Sequence, residues 1–353
     1  MLIAHLDLDA FYAACEVLEH PEYADRPLVV GGDPHGRGVV ATASYEARPF
    51  GIYSAMSSAE ALRRCPDAIF VRPDFACYRR RSRSVWEWIR KRMSCVEQVG
   101  IDEGYLELVT PYIEPARAIL ADLQQGLLRE TRLSASIGCG GSKTVAKIAS
   151  DIRKPGGLTV AAPEESAAFL APLGLRTLPG IGPRLETRLG ELGVRTIGEL
   201  AALSDEAIAR AIPGTVGREL QARARGIDER RVDPRQQPPV SQGAEETFPR
   251  DLVSEEEMKE RIDRLAEVVW ARLAANDLCA RTATAKVRYH DFQTVTRSQT
   301  VREPFCSVED LAGLARSLLQ RALAERLAAV RLLGVYASTL CQRAEEAQIR
   351  LPL

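Results

Sequence analysis

Val99-Gly100-Ile101-Asp102-Glu103-Gly104-Tyr105-Leu106 is the stretch that decides how the rest of the sequence is interpreted. Two carboxylates stand side by side between apolar, strand-forming residues, and a glycine flanks the pair on each side. Because glycine permits the tight backbone of a hairpin tip, the pattern predicts two strands that meet at the acidic pair. Neighbouring like charges on a half-buried hairpin are unfavourable unless a cation neutralises them. Two interpretations stay open, a solvated acidic turn and a metal site.

A second acidic strand begins the chain and favours the metal site. Leu2-Ile3-Ala4-His5-Leu6-Asp7-Leu8-Asp9 predicts a short apolar strand that ends in Asp7, followed by a helix from about residue 10. Asp9 is well placed as the N-cap of that helix, whereas Asp7 has no such role. Asp7, Asp102 and Glu103 together supply hard oxygen ligands, which suit Mg²⁺ and not zinc. Paired Mg²⁺ ions serve in-line phosphoryl or nucleotidyl transfer.

Composition points to a soluble globular protein. A length of 353 residues predicts two to three domains with ample core, and 46% hydrophobic with 27% charged residues is ordinary for that class. No basic leader precedes the first apolar run, and no stretch approaches the ~20 apolar residues of a membrane span, so we expect neither a signal peptide nor a spanning helix. The eight cysteines are scattered without a CxxC pair, which predicts reduced thiols in a cytosol and argues against disulfides and zinc.

The net charge weighs mildly against a nucleic-acid-binding protein. The formal charge is -1 with a pI of about 6.5, whereas such proteins are usually basic. Net charge hides its distribution, however, and acidic outer helices can coexist with a basic groove. If the protein binds DNA, we therefore expect modest intrinsic affinity and a strong dependence on salt.

The order of predicted elements divides the chain into parts. Strands and helices alternate around the acidic hairpin up to residue 162, which predicts an α+β fold with helices layered on an antiparallel sheet. Residues 163–232 are helical, and Leu178-Pro179-Gly180-Ile181-Gly182-Pro183 joins two predicted helices. The Gly-Ile-Gly spacing favours a phosphate-binding helix-hairpin-helix over an ordinary turn. A Pro- and Gln-rich linker at 233–241 precedes a separate β-α-β-β-α-β domain at 242–341.

Three stretches resemble the signature blocks of the Y-family lesion-bypass DNA polymerases, in particular their bacterial DNA polymerase IV type. They are Asp7-Leu8-Asp9-Ala10-Phe11-Tyr12, Ala41-Thr42-Ala43-Ser44-Tyr45-Glu46-Ala47-Arg48 and Ile101-Asp102-Glu103-Gly104-Tyr105. The resemblance runs from the first residues to the last few, in the family's order. The family usually has Ser before the Ile/Leu-Asp-Glu segment and Ala after it, where this chain has Gly100 and Gly104. Both changes could loosen the hairpin, but they leave every metal ligand in place.

The resemblance implies the right-hand architecture of these polymerases. Its parts would be a ferredoxin-like palm (1–18 and 74–162), small fingers (19–73), a helical thumb (163–232) with the helix-hairpin-helix at 178–194, a linker (233–241), a little finger (242–341) and a tail with a clamp-binding peptide (342–353).

The implied reaction is template-directed nucleotidyl transfer to a primer 3′-hydroxyl, with release of pyrophosphate. Two Mg²⁺ ions per active site are expected, for which Mn²⁺ can substitute. By resemblance Asp7 and Asp102 bridge both ions, Glu103 binds the ion nearer the primer, and the backbone carbonyl of Leu8 helps to hold the nucleotide-side ion. Synthesis is expected to be distributive, of low fidelity and able to pass damaged template bases.

The same resemblance assigns residues to the incoming dNTP. Tyr12 matches the steric gate that excludes a ribose 2′-hydroxyl, although simple core packing would also explain a tyrosine there. Phe11 belongs to the same set, but the residues alone favour a core position for it. Small residues over the nascent base pair would leave the site roomy and its shape checking weak. The triphosphate contacts are Thr42, Tyr45, Arg48 and Lys154, and the residues over the base pair are Gly38, Val39 and Ala41.

The remaining assignments concern DNA and a protein partner. The expected DNA contacts are Gly180, Gly182, Thr282, Thr284, Lys286, Arg288 and Thr296. Gln348, Leu351 and Leu353 resemble a peptide that binds the bacterial sliding clamp. The expected partners are thus primer-template DNA, dNTP and the clamp, with no membrane, in a monomeric cytoplasmic protein. The alternatives are a catalytically inactive family member acting as an accessory DNA-binding protein, a palm-type nucleotide cyclase, and a non-enzymatic structure-specific DNA-binding module.

Overall fold

The computed structural model describes residues 2–235 and 238–343. The chain divides into two compact units, Met1–Gln236 and Gln237–Leu353. In the described part of the chain, no helix combines the length and the apolar composition needed to cross a bilayer.

The first 162 residues form two sheets with helices around them in the predicted order, except for β8 (Leu158–Val160), an additional parallel strand that the sequence did not predict. Their strands and α-helices are β1 (Leu2–Leu8), α1 (Phe11–Glu19), β2 (Leu28–Gly31), β3 (Val40–Ala43), α2 (Ser58–Arg64), β4 (Ile69–Val71), α3 (Phe75–Arg90), β5 (Val96–Gln98), β6 (Glu103–Leu108), α4 (Ile113–Thr131), β7 (Ala135–Gly140), α5 (Lys143–Ile152) and β8 (Leu158–Val160). Short 3-10 helices occupy Pro21–Tyr23 and Arg48–Phe50.

The larger sheet has the strand order β5-β6-β1-β7-β8, so the first strand of the chain lies at its centre. β1 pairs antiparallel with β6 and β7, and β8 joins β7 in parallel. Leu2, Leu6 and Leu8 of β1 belong to the core formed with α3 and α4. Ile3 and Ala146 of α5 belong to a cluster of their own, with Tyr105. Helices therefore cover both faces of β1, which explains its nearly continuous apolar run.

The smaller sheet is the insertion predicted between α1 and α3. Its strand order is β3-β2-β4, with β2 antiparallel to β3 and parallel to β4. Val29, Val40 and Ile52 are among the buried residues of its own core, which it shares with α2.

Residues 163–232 are mainly helical, as predicted. The elements are the 3-10 helix Pro163–Glu165, α6 (Ser166–Leu170), the 3-10 helix Leu175–Thr177, α7 (Pro183–Gly190), α8 (Ile197–Ala202), α9 (Asp205–Ala211) and α10 (Thr215–Ala224).

The predicted helix before the Gly-Ile-Gly turn is shorter than expected. A single 3-10 turn stands there, because Gly174 and Pro179 bracket too few residues for an α-helix. After the turn, Gly182 is the N-cap of α7 and Pro183 is its first residue, an arrangement that suits a helix start. Gly180 has φ +103°, which favours glycine.

The second unit has the predicted β-α-β-β-α-β order. Its elements are β9 (Ser241–Leu252), α11 (Glu255–Ala274), β10 (Leu278–Tyr289), β11 (Thr294–Phe305), α12 (Val308–Glu325) and β12 (Val330–Gln342). The sheet order is β11-β10-β12-β9, and every pairing is antiparallel. Ala283, Ala285 and Val287 of β10 are buried among the apolar residues of α11 and α12, so the helices cover one face of the sheet.

The expectation that all cysteines are reduced is wrong for one pair. Cys279 on β10 and Cys306 just after β11 form a disulfide, with their Cα atoms 5.0 Å apart. Ala280 pairs opposite Phe305, so the antiparallel hairpin brings the two sulfurs together. The cysteines are 27 residues apart, and their spacing alone does not reveal the pairing.

The close contact between β7 and α5 depends on a glycine. A Cβ at Gly138 would lie 2.1 Å from both the Ala146 carbonyl oxygen and the Ser150 amide nitrogen. We expect Gly138→Ala to lower the free energy of unfolding by about 3 kcal/mol or more, because the added carbon meets backbone that cannot move independently. Urea unfolding of the intact protein measures this change in the free energy of unfolding.

Gly190→Ala, at the last residue of α7 in the same unit, is the control. A Cβ there meets nothing within 4 Å, so the stability should stay the same or rise by about 0.5 kcal/mol. Equal stability of Gly138→Ala and Gly190→Ala would contradict this argument, because it would mean that α5 can shift away from β7 without a loss of stability.

Candidate active site

The acidic residues of β1 and β6 meet at one end of the central strand pair. Asp7 and Glu103 are directly opposite each other in the antiparallel register. The Leu8 amide donates to the carbonyl of Asp102 at 2.9 Å, so Asp102 follows at the same end of the sheet. Like charges opposite each other on neighbouring strands repel, and this junction requires compensation.

Lys154 compensates the charge of Asp7. Its Nζ lies 2.8 Å from Asp7 Oδ1 and 2.8 Å from Asp151 Oδ1, with the side chains of Lys154 and Asp7 about four-fifths buried. Burial alone would lower the pKa of Lys154, but the hydrogen bonds to Asp151 and Asp7 raise it above its usual value. The amine therefore stays charged beside the carboxylates at every physiological pH.

Lys147 and His5 hold Glu103. Lys147 Nζ lies 2.5 Å from Glu103 Oε2, and His5 Nε2 lies 3.3 Å from the same oxygen. The close approach of His5 and then the hydrogen bond from Lys147 lower the pKa of Glu103 to about 2. His5 is fully buried, and its Nδ1 lies 2.9 Å from Ser150 Oγ. Burial lowers the pKa of His5.

Asp102 is the carboxylate whose charge is least compensated. Burial raises its pKa, and the neighbouring charge of Asp7 raises it further. Tyr12 is close by, since the charge of Asp102 is the second cause, after burial, of the raised pKa of its phenol.

The three carboxylates fit a hard divalent cation by their chemistry. Within residues 2–235 and 238–343, no group of three His, Cys, Asp or Glu side chains is already arranged around a common point for a metal. Lysine amines instead contact Asp7 and Glu103, so they compensate the negative charge that a metal ion would otherwise neutralise. An oxygen-only acidic set with replaceable cationic partners suits Mg²⁺ or Mn²⁺.

Asp9 is not the N-cap that the sequence predicts. The N-cap of α1 is Ala10, in the left-handed conformation and without a side-chain hydrogen bond. The Asp9 carboxylate is buried and turns to the start of β7, where it accepts from Ser134 Oγ and Ser136 Oγ, each at 2.7 Å. It also accepts from Tyr45 Oη at 3.2 Å and from the Gly156 amide at 2.8 Å.

Of the expected triphosphate contacts, the structure brings Tyr45 and Arg48 together. Arg48 Cζ lies 4.0 Å from the centre of the Tyr45 ring, and Arg48 Nε donates to the Ala43 carbonyl at 3.3 Å. Thr42 lies on β3, one residue before Ala43, and is partly exposed. Burial and the nearby charge of Asp9 raise the pKa of Tyr45 to about 12, so its phenol is a hydrogen-bond donor.

The two aromatic residues after Asp9 differ in exposure. Phe11 is buried in the core, as the residues alone favour. Tyr12 is partly exposed, and its ring stacks on Tyr78 with the centroids 4.6 Å apart while meeting Phe75 edge-on. These contacts fix the orientation of the Tyr12 ring.

The small residues expected over the base pair lie at the start of β3 and in the loop before it. A Cβ at Gly38 would come within 2.4 Å of Gly32 backbone, so this glycine is needed where two chain segments touch. Val39 is 52% exposed, and Ala41 is partly exposed on β3. A glycine, an alanine and an exposed valine leave this surface of the smaller sheet open.

The expected DNA contacts lie in both units of the chain, Gly180 and Gly182 in the first and the residues of β10 and β11 in the second. A Cβ at Gly182 meets nothing within 4 Å, so its backbone is approachable. On β10, Thr282 and Thr284 bond to Thr300 and Ser298, at 2.9 and 2.7 Å. Lys286 pairs with Glu245 at 2.6 Å, Arg288 donates to Thr294 at 2.9 Å, and Thr296 lies opposite Lys286. These residues form a polar sheet face.

The expected clamp-binding residues Gln348, Leu351 and Leu353 lie outside the described residues.

Sequence reasoning missed the residues that support the acidic pair. Lys147 and Ser150 lie on α5, and only their helical spacing toward the sheet could have indicated them. His5 could have been found, since it precedes Asp7 by two residues and shares its face of the strand. Trp86 is fully buried on α3, and its Nε1 donates to the Ile101 carbonyl at 3.2 Å, just before Asp102.

The comparisons with known proteins cover nearly the whole chain. Residues 6–151 match the impB/mucB/samB family, and residues 239–351 match the C-terminal domain of that family. The chain is 43% identical to a DNA polymerase IV of Alkalilimnicola ehrlichii over 96% of this chain and 95% of that protein. It is 40% identical to a DNA polymerase IV of Halorhodospira halophila over 98% and 96% of the two chains.

A solved structure supports the fold. A Y-family DNA polymerase chimera aligns with a TM-score of 0.89 at 24% identity, covering 97% of this chain and 100% of the other. The α+β arrangement predicted from the sequence is thus confirmed as a right-hand polymerase fold.

The packing of Trp86 explains why this chain has glycine at position 104, where the family usually has alanine. A Cβ at this position would lie 2.6 Å from Trp86 Cη2 and 2.7 Å from the Glu97 carbonyl, so the indole fills the space that alanine would need. We expect Gly104→Ala to cost about 2–3 kcal/mol of unfolding free energy through overpacking. Thermal or urea unfolding measures the loss.

Two further variants test that reason. In a Trp86→Phe background the same substitution should cost at least about 1 kcal/mol less, because the smaller ring makes room. Gly100→Ala, whose Cβ would meet the flexible Glu103 side chain at 3.1 Å, should change stability by less than about 1 kcal/mol. If the losses of unfolding free energy from Gly104→Ala and Trp86→Phe simply add in the double variant, the packing argument is contradicted.

Proposed function

This chain belongs to the impB/mucB/samB family and is a Y-family DNA-directed DNA polymerase of the DNA polymerase IV type; from this premise we propose that it extends a primer past damaged template bases by two-metal nucleotidyl transfer. The single observation that carries the mechanism is the junction where Asp7 and Glu103 stand opposite each other with Asp102 next to them. Such a concentration of like charge serves no structural purpose at a sheet end.

The carboxylates are the proposed metal ligands. Asp7, Asp102 and Glu103, with the Leu8 carbonyl, would hold two Mg²⁺ or Mn²⁺ ions. When bound, the ions activate the primer hydroxyl and stabilise charge on the leaving pyrophosphate. Glu103 is ionised at neutral pH, and its contacts with His5 and Lys147 lower its pKa so that it also stays ionised in mild acid. Lys154 and Lys147 neutralise the site until then.

The triphosphate of the incoming dNTP is proposed to lie between the smaller sheet and the loop after α5. Arg48 offers a planar fork for phosphate oxygens, and Thr42 and the neutral phenol of Tyr45 offer hydroxyl donors. Lys154 is the second cation. The contact between Asp9 and both Tyr45 and Gly156 supports this, since it links the two sides.

Tyr12 is the proposed steric gate. Its ring is held by Tyr78 and Phe75, and burial and then the charge of Asp102 raise the pKa of its phenol, so a ribose 2′-hydroxyl at the site would meet a fixed aromatic edge. Small side chains at Gly38, Val39 and Ala41 support a loose fit around the nascent base pair. Low fidelity and tolerance of damaged bases follow from that loose fit.

The domain assignments are proposed with the same reaction. The larger sheet would be the palm, the smaller sheet the fingers, residues 163–232 the thumb, and the second unit the little finger after the linker at 233–241. Gly180 and Gly182 would bring backbone N–H groups to a phosphate. The polar face of β10 and β11 would contact the DNA backbone, distributively and with strong salt dependence.

The proposed setting is a monomer in the cytoplasm that binds primer-template DNA, dNTP and the sliding clamp. The resemblance of the tail to a clamp-binding peptide supports the last partner. A catalytically inactive accessory protein is the alternative, and the complete set of Asp7, Asp102, Glu103 and Lys154 counts against it.

Single-nucleotide insertion into a primed template tests the reaction. We expect Asp102→Asn and Glu103→Gln each to lower the insertion rate by at least about 100-fold, because each removes a carboxylate from the metal site. Glu107→Gln makes the same change farther along β6 and should stay within about threefold of wild type.

Several outcomes would count against parts of the proposal. Insertion by both carboxylate variants at the wild-type rate would contradict the assigned chemistry. No insertion by the wild-type protein would support the inactive alternative, and product formed without a primer-template would support a cyclase. Incorrect nucleotides rejected as strictly as by a replicative polymerase would contradict low fidelity.

The tail is tested separately. Truncation after residue 343 should leave insertion without a clamp within about twofold of wild type and abolish stimulation by a bacterial sliding clamp, because the apolar anchors are lost. Arg350→Ala in the full chain is the matched control and should retain stimulation. Primer extension with and without clamp measures both, and a truncated protein that is still stimulated would refute the clamp assignment.

A further inference from the structure

Asp9 is the most thoroughly hydrogen-bonded carboxylate at the site, although the reaction proposed above assigns it no role. It is 5% exposed and accepts from Ser134 Oγ, Ser136 Oγ, Tyr45 Oη and the Gly156 amide. Each carboxylate oxygen receives two of these bonds. Its own amide donates to the Ser134 carbonyl at 2.9 Å, so backbone and side chain are both anchored to the same residue.

The donors to Asp9 are all neutral. Among the described residues, no lysine, arginine or histidine forms an ion pair with it in the structure. A buried carboxylate without a cation is unfavourable unless several donors surround it, because it has lost its hydration. Four charge-assisted hydrogen bonds compensate that loss, and they also make the position of each donor depend on the charge of Asp9.

The four donors lie on different parts of the chain. Ser136 belongs to β7, which is fixed in the sheet, and Ser134 immediately precedes that strand. Tyr45 belongs to the loop after β3 of the smaller sheet, and its ring carries the guanidinium of Arg48 at 4.0 Å. Gly156 belongs to the loop after α5, two residues after Lys154. Asp9 therefore fixes Tyr45 and the Lys154 loop against one strand.

We propose that Asp9 is a positioning residue for the nucleotide triphosphate: it holds the Tyr45–Arg48 pair and the Lys154 loop at the separation that the triphosphate requires. The inference rests on the proposed function, since it concerns how the same site is shaped. Asp9 itself contacts no substrate in this account. Its effect passes through Tyr45 on one side and the Gly156 amide on the other.

The chemistry of Asp9→Asn shows why the charge matters. An asparagine has one acceptor oxygen and one amide group that only donates. Whichever way the amide turns, two of the four donors face another donor. Either Tyr45 and Ser136, which share one oxygen, or Gly156 and Ser134, which share the other, lose their acceptor, while the volume of the side chain is nearly unchanged.

The test is steady-state single-nucleotide insertion on a primed template, with the nucleotide KM, kcat and the Kd for DNA measured separately. We expect Asp9→Asn to raise the nucleotide KM by about tenfold or more, with kcat within about threefold and the Kd for DNA within about twofold. Because Asp9 acts partly through Tyr45, the KM increase of Asp9→Asn combined with Tyr45→Phe should be smaller than the product of the single increases.

A second variant keeps the test decisive if Asp9→Asn does not fold. The double substitution Ser134→Ala with Ser136→Ala keeps the charge but removes its anchors on β7, and it should raise the nucleotide KM by about three- to fivefold. Leu120→Val, in the core of the larger sheet, lowers stability without touching the network and should leave the KM within about twofold.

The outcomes separate this inference from the proposed function. A wild-type enzyme that inserts nucleotides, together with folded Asp9 and Ser134/Ser136 variants whose KM stays within about twofold, would overturn the positioning role alone. A fall in kcat with unchanged KM would also overturn it. A wild-type protein that inserts no nucleotide would overturn the proposed function, and the positioning role with it.

Discussion

The repulsion between Asp7 and Glu103 is the constraint on which this part of the molecule depends. The antiparallel register of β1 and β6 places the two carboxylates directly opposite each other, and the Leu8 amide ties the backbone of Asp102 to the same end. A one-residue slip would turn these side chains to the other face, into the apolar core. The register of β1 against β6 therefore fixes both the packing of the strand and the meeting of the acids.

Cationic side chains of α5 and of the loop after it compensate that repulsion. Gly138 lets the helix approach β7 at backbone contact, which a side chain there would prevent. From that position α5 directs Lys147 to Glu103, and the loop that follows it brings Lys154 to Asp7. His5, buried between the strand and Ser150, completes the set. The packing of one helix thus largely determines the electrostatics at the end of the sheet, because both compensating lysines come from its face or its C-terminal loop.

The sequence predicted the elements better than the contacts between them. Hydrophobic alternation and glycine placement gave the order of strands and helices, including every element of the second unit. The acids of β1 and β6 were recognisable because a charged side chain at the end of an apolar strand needs a reason. The partners of Asp9 were not recognisable, since Tyr45, Ser134 and Gly156 are separated from it by 36, 125 and 147 residues. The disulfide between Cys279 and Cys306 was hidden for the same reason, as was the role of Trp86 beneath Gly104.

Asp7 and Asp9 show how two identical residues of one short motif can acquire opposite roles. The side chain of Lys154 neutralises Asp7, and a lysine is long, flexible and able to turn to another anion when a metal ion takes its place. Serine hydroxyls, a tyrosine and a backbone amide donate hydrogen bonds to Asp9, and one of the serines, Ser136, belongs to a strand inside the sheet. A carboxylate held by mobile cations can exchange them for a metal, whereas one held by fixed neutral donors cannot leave without breaking the surrounding structure. The nature of the compensating group, more than the carboxylate itself, therefore separates a proposed ligand from a proposed anchor.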